Sequence, residues 1–147
     1  MATYRARVTS PRPPAEVFDY MARFSNAAEW DPGVTEATEA TEGDPGAPTF
    51  GSTYRLMARA FGRAVPLEYR IAEFDRPHRV VLSAENSMVR STDVIEVYAG
   101  PGGGSTLTYD ATLGLKGVAA LCTPLLGLSF RRIGDRAIVG LRAALAA

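Results

Sequence analysis

Residues 106–145 read TLTYDATLGLKGVAALCTPLLGLSFRRIGDRAIVGLRAAL, and the period of their apolar pattern changes once, after Gly114. Before that point Leu107, Tyr109, Ala111 and Leu113 alternate with Thr106, Thr108, Asp110 and Thr112. Alternation of this kind puts one set on each face of a half-buried strand. After it, Leu126, Phe130, Ile133, Ala137, Leu141 and Leu145 recur at steps of three or four, which lines them along one side of a helix. Arg131, Arg132, Asp135, Arg136 and Arg142 take the other side. Thr123-Pro124 reads as an N-cap followed by proline in the first turn, so the helix is predicted from about Pro124 to Leu145. Gly117 to Cys122 reads either as a separate helical turn or as the same helix bent at Pro124.

Working back from Thr106, the run Gly100-Pro101-Gly102-Gly103-Gly104 is a hairpin turn. It lacks the Lys-Ser/Thr ending of a phosphate-binding loop and lies between two strands rather than before a helix. Further back, strands are predicted at Thr92–Tyr98, Arg79–Asn86, a stretch around Leu67–Ala72, Ser52–Ala60, and a weak edge strand at Val34–Thr41. Phe61-Gly62-Arg63 and Asp75-Arg76-Pro77 read as turns, and EGDPGAPTFG at 42–51 as a loop. Strands joined by such short turns are expected to pair antiparallel.

At the N-terminus, Tyr4, Ala6 and Val8 alternate with Thr3, Arg5, Arg7 and Thr9 in a first strand, stopped by SPRPP. Pro14 suits the first turn of a helix, and Val17, Phe18, Met21 and Phe24 form its apolar face. Ser25 is read as the N-cap of a second short helix ending near Trp30, because Pro32 disfavours helix at the residue before it. The order is strand, two short helices, a long β-patterned run and one closing amphipathic helix. A curved antiparallel sheet with a long helix across its mouth does not fill its own interior easily, and so tends to enclose a pocket.

With 147 residues, 46% hydrophobic and 22% charged, the chain is expected to form one globular domain over residues 1–147. Sixteen basic and sixteen acidic residues cancel, so no global electrostatic drive toward nucleic acid exists, and no nucleic-acid partner is expected. The single cysteine rules out an intrachain disulfide. No segment has signal-peptide character and no run of about 18 apolar residues appears, so a cytoplasmic protein without integral membrane association is expected, as monomer or homodimer.

Four stretches taken together, PPAEVFDYMARFSNAAEWDPGV, EFDRPHRVVL, TDVIEVYAGPGGGSTLTYDATLGLKG and LLGLSFRRIGDRAIVGLRAAL, resemble the START-like superfamily. That superfamily includes the bacterial polyketide cyclase/dehydrase and lipid-transport proteins, often called SRPBCC proteins. The resemblance runs from about Tyr4 to Leu145. It implies an α+β helix-grip fold: a curved antiparallel sheet of about seven strands around a long C-terminal helix, with two short helices after the first strand. It also implies a deep cavity between sheet and helix. It implies less about activity, since a shared fold is not a shared function.

Candidate chemistry is sparse. His78, the only histidine, sits in a turn and is read as a surface residue. Cys122 is read as a packing residue rather than a nucleophile. With one His and one Cys no zinc site of that type can be built, and neither metal nor cofactor is expected. Glu68, Glu85, Glu96 and Asp110 fall on outer faces. Asp93 differs, and two readings stand: it shares an inward face with Ile95 and Val97 and is a site candidate, or it lies in water or in the opposite register. Tyr54, Tyr69 and Tyr109 fall on the apolar faces of three strands, as pocket wall or as core. Trp30 is placed at the junction of the small helices and the sheet, in packing or at the cavity mouth. Leu56, Ile71 and Leu82 from the sheet and Leu126 and Phe130 from the helix complete the expected ligand-binding set.

Three function classes follow. The first is a carrier or sensor for a hydrophobic or aromatic small molecule of lipid or polyketide type. The second is a cyclase, aromatase or dehydratase-like enzyme using Tyr and Asp groups as acid and base. The third is a protein-interaction module. A polar network inside the pocket points to the second, a smooth apolar pocket to the first, and a filled interior with an exposed apolar patch to the third.

Overall fold

The computed structural model describes residues 1–40, 47–60, 63–117 and 123–146, without the side chains of residues 60 and 123–128. Its strands are β1 (Ala2–Ser10), β2 (Val34–Glu39), β3 (Thr53–Ala60), β4 (Arg63–Asp75), β5 (Arg79–Glu85), β6 (Val89–Ala99) and β7 (Ser105–Leu115). Its helices are α1 (Pro14–Ala22), the short α2 (Ala27–Trp30) and α3 (Thr123–Leu145). All seven strands form one antiparallel sheet in the order β1-β7-β6-β5-β4-β3-β2, so every strand from β2 to β7 pairs with its neighbour in sequence. This is the helix-grip arrangement of a curved sheet, a long C-terminal helix and two short helices after the first strand. Phe61-Gly62, most of Gly117–Cys122 including Cys122 itself, and the side chain of Leu126 lie outside the described residues.

Local chemistry explains the ends. Pro14 opens α1, where its missing N–H leaves no hydrogen bond unmade. Ser25 does not cap α2: it lies inside a 3-10 turn over Phe24–Asn26, and the residue before α2 is Asn26, which makes no side-chain capping bond. Between β6 and β7, Gly102 and Gly103 sit at φ of 67° and 81°, the left-handed region that L side chains avoid. His78 is exposed, with its N–H bonded to the Asp75 carbonyl at 2.8 Å. β6 begins at Val89, three residues before the alternation at Thr92 suggested.

The outer face of the sheet carries ion pairs between residues directly opposite one another. Arg5 meets Asp110 at 3.0 Å, Arg55 meets Glu68 at 3.4 Å, and Arg90 meets Glu85 at 3.0 Å. These partners are partly to mostly exposed, and such pairs contribute about 0.2–1 kcal/mol each.

The concave face is divided along its length. Toward one end α1 fills it: Val17, Phe18 and Met21 are fully buried, and Phe18 meets Phe74 of β4 edge-on at 5.4 Å. Ile71, Leu82, Ile95, Val97 and Leu107 lie in this packed half, with zero to 1% exposure. α3 crosses the sheet through Ala137, Ile138, Leu141 and Leu145, all buried, while Phe130 and Ile133 are only partly covered. Its C-terminus is fastened to β1, where Ser10 Oγ donates to the Leu145 carbonyl at 2.7 Å. Two glycines let α3 approach closely. A Cβ at Gly140 would collide with the Trp30 carbonyl, and one at Gly134 would lie 2.5 Å from the Tyr4 ring.

Candidate functional site: an apolar cavity with a buried carboxylate

Under the other half of the concave face, α3 and the sheet enclose a cavity of about 750 Å³. Its size is that of a site for a drug-sized molecule. The wall is mainly aliphatic and aromatic, with Leu56 and Ala58 from β3, Leu67 from β4, Ala111 and Leu113 from β7, and Ile133 from α3 among its residues. The rim is formed where the strands end, by Arg59, Ser87, Met88 and Lys116. Met88 is 52% exposed there. Lys116 reaches back to Glu85 at 2.5 Å.

Four aromatic rings make one connected group at the inner end. Tyr69 meets Phe24 at 4.9 Å, Phe24 meets Trp30 at 6.3 Å, and Trp30 meets Tyr109 at 5.7 Å, all edge-on. Such contacts hold the rings in fixed orientation beyond the stabilisation from burial.

Among these rings sits a polar cluster. Ser91 and Asp93 are two apart on β6 and so share the inward face, and both are buried. Tyr109 stands diagonally across on β7, since its direct partner is Ile95, and its hydroxyl donates to Asp93. Tyr69 and Ser91 hydroxyls lie 2.8 Å apart. Either hydroxyl can be the donor in that pair, and Ser91 also favours the charged form of Asp93. Burial pushes Asp93 up to about 7, and the nearby Asp31 carboxylate pushes the same way; the Tyr109 and Ser91 hydroxyls oppose it. Asp31, at the end of α2, is also raised by burial, against a hydrogen bond from Gly33 N–H at 2.8 Å. Burial raises the Tyr69 and Tyr109 phenols, so both remain protonated donors near neutrality.

Of the residues expected to bind ligand, Trp30, Leu56, Tyr69, Asp93, Tyr109 and Phe130 line this cavity. Trp30 is 4% exposed and lies in the inner wall, not at the mouth. Four others do not line it. Ile71, Leu82 and Ile95 belong to the half that α1 fills, and Tyr54 is buried outside the cavity wall. The alternation gives the face of a side chain but not its position along the strand, and so does not separate the packed half from the hollow half. Leu126 lies outside the described side chains. Asp31 and Ser91 were missed. Ser91 preceded the expected start of its strand, although it has the parity of Asp93; Asp31 read only as the residue before a helix-ending proline.

The family model described as polyketide cyclase / dehydrase and lipid transport matches residues 1–146. The chain belongs to that family. It is a member of the SRPBCC, or START-like, helix-grip superfamily, whose fold suits the binding of a hydrophobic small molecule. The protein TTHA0849 from Thermus thermophilus is similar in structure, with TM-score 0.76 and 17% identity over 97% of this chain and 96% of that one. A START superfamily protein from Mycobacterium smegmatis gives TM-score 0.75 at 10% identity, over 99% and 97%. The Zhui aromatase/cyclase from Streptomyces sp. R1128 gives TM-score 0.73 at 13% identity, over 97% and 90%. At such identities the likeness is one of fold. No curated protein sequence matches the chain.

Among the described residues no group of three or more His, Cys, Asp or Glu is placed to hold a metal ion. No described helix is long and apolar enough to cross a membrane.

Proposed function

We propose that this protein binds an apolar, ring-bearing small molecule in the cavity under α3, as a carrier or sensor. The observation that carries the reading is the cavity itself: about 750 Å³ walled by aliphatic and aromatic side chains, with its buried polar groups gathered in one place. Apolar burial supplies the affinity of such a site, and a few fixed polar groups supply orientation. The hollow interior supports binding over the interaction-module reading, whose sign is a filled interior.

Native mass spectrometry of the protein as purified tests this directly, with thermal shifts against fatty acids, flavonoid-like phenols and polycyclic ketones. Ligand excess at 100 times the dissociation constant raises stability by about 2.7 kcal/mol. Ala111→Trp, which places an indole in the cavity wall, is expected to remove both the co-purified mass and the shift. An empty spectrum with no shift for any class defeats the proposal.

The polar network of Tyr69, Ser91, Asp93 and Tyr109 inside the cavity favours a second reading, acid–base catalysis on a carbonyl-bearing ligand. Asp93 titrates near neutrality and is bonded to Tyr109, the pairing that general acid–base chemistry uses. A bound polyketide-like chain that loses water on incubation with the wild type, but not with Asp93→Asn, is the result this reading requires.

A further inference from the structure

Resting on the reading that the cavity binds a small molecule, we infer that its ligand carries a protonated amine at the end buried against Asp93 and Asp31. Two carboxylates line one apolar cavity. Asp93 is 6% exposed, and among the described residues no Lys, Arg or His forms an ion pair with either carboxylate. The hydrogen bonds that reach them come from neutral groups: Tyr109 and Ser91 on Asp93, and the Gly33 N–H on Asp31. One buried and one partly buried acid that lack a counter-ion are costly to ionise together. A cation brought in by the ligand removes that cost and leaves both acids charged.

The surroundings suit a cation as well. Trp30, Tyr109, Phe24 and Tyr69 present a linked set of rings at the same end of the cavity, and ring faces attract a desolvated ammonium. An anionic ligand head is disfavoured there and would sit at the rim beside Lys116; Arg59, also on the rim, is joined through its backbone N–H to the Gly33 carbonyl at 2.7 Å. The titratable and charged groups facing Asp93 are Asp31 from α2, Tyr69 from β4 and Tyr109 from β7; Ser91 of β6 is a neutral partner. From α3 the wall receives Phe130, Ile133, Gly134, Ala137 and Ile138, none of them ionisable. Tyr4 of β1 also lines the cavity but is committed to Asp135 at 2.7 Å.

The test compares three probes with one body and different heads: naphthylethylamine, naphthylethanol and naphthylpropanoic acid, titrated calorimetrically into the wild-type protein at about pH 8 and about pH 6. The amine is expected to bind at least about tenfold more tightly than the alcohol. Its binding at the lower pH is expected to release protons, because the ammonium lowers the proton affinity of Asp93. Asp93→Asn and, separately, Asp31→Asn are expected to shrink the amine-to-alcohol ratio, and the proton release is expected to vanish in Asp93→Asn. Equal binding of amine and alcohol overturns the inference and leaves the proposed cavity function standing. Tightest binding by the acid also overturns it, and places the head at the rim beside Lys116. Failure of all three probes, together with an empty native mass spectrum and no thermal shift, defeats the cavity function and the inference with it.

Discussion

Tyr109 donates its hydroxyl to the Asp93 carboxylate from the adjacent strand, inside a cavity whose wall is otherwise mainly apolar. That relationship makes the pH dependence of stability readable. Asp93 is raised from its ordinary value to about 7 in the folded protein, whereas the unfolded chain titrates near about 3.9. Between those two values the folded state holds a proton that the unfolded state has released. Stability therefore falls as pH rises from about 4 to about 7 and is flat above, with a span of about 4 kcal/mol at most. Asp31, raised by burial, acts in the same direction. Asp19 and Glu85, held low by Arg76 and by Arg90 with Lys116, contribute stability that is lost only as pH falls below about 4. The melting temperature of the ligand-free protein is expected to drop between about pH 5 and about pH 8, and Asp93→Asn is expected to flatten most of that slope. A melting temperature that rises over this interval, equally in both proteins, contradicts the account.

The Tyr109 hydroxyl stabilises the ionised form of Asp93, so its removal moves the titration further up. In Tyr109→Phe, only Ser91 still donates to the carboxylate. Carbon-13 NMR of the Asp93 carboxyl is expected to show a higher midpoint than in the wild type, with a stability loss of about 1–3 kcal/mol where the carboxylate is charged. Ser91→Ala is expected to move the midpoint the same way. No movement in either variant sinks the hydrogen-bond assignment.

Much of the fold is legible in the chain because periodicity is a local property. The alternation of Leu107, Tyr109, Ala111 and Leu113 and the helical spacing of Ile133, Ala137 and Leu141 each report a face of their own element. Both faces are found in the interior. The site is less legible, because it depends on where α1 stops along the sheet. Ile95 and Asp93 share one face of β6, yet one packs in the filled half and the other lines the hollow half. No local pattern distinguishes them. The close passages at Gly134 and Gly140 were equally silent, since a glycine in a helix shows what it excludes only once its neighbour is placed.

Gly140 passes so near the Trp30 carbonyl that a methyl group there has no room, and a backbone atom cannot swing aside. Gly140→Ala is expected to cost about 1–3 kcal/mol or more, despite the better helix propensity of alanine. Gly134→Ala meets the Tyr4 ring, which can turn at the expense of its bond to Asp135. Its cost is expected to be the smaller of the two. Denaturant midpoints rank them, and an unchanged or raised midpoint in Gly140→Ala contradicts the close passage of α3 over α2.

The division of the concave face predicts that stability and ligand binding respond to different residues. Ile71 is fully buried in the half that α1 fills, so Ile71→Ala removes packed contacts and leaves a cavity the structure closes only in part. The expected loss is about 2–5 kcal/mol. Leu113 lines the existing hollow and already lacks partners on one side. Leu113→Ala is therefore expected to cost less than half as much, on the order of 1 kcal/mol. For ligand the ranking inverts. Enlarging the hollow at Leu113 is expected to change the fluorescence response of Trp30, the only tryptophan, when an apolar ligand enters. Ile71→Ala is expected to leave the ligand-bound emission of Trp30 as in the wild type, once measured below its lower melting temperature. Denaturation curves and ligand titrations on the same two variants decide the matter. If Leu113→Ala proves the more destabilising, the hollow half is packed in solution and the binding site must be sought elsewhere.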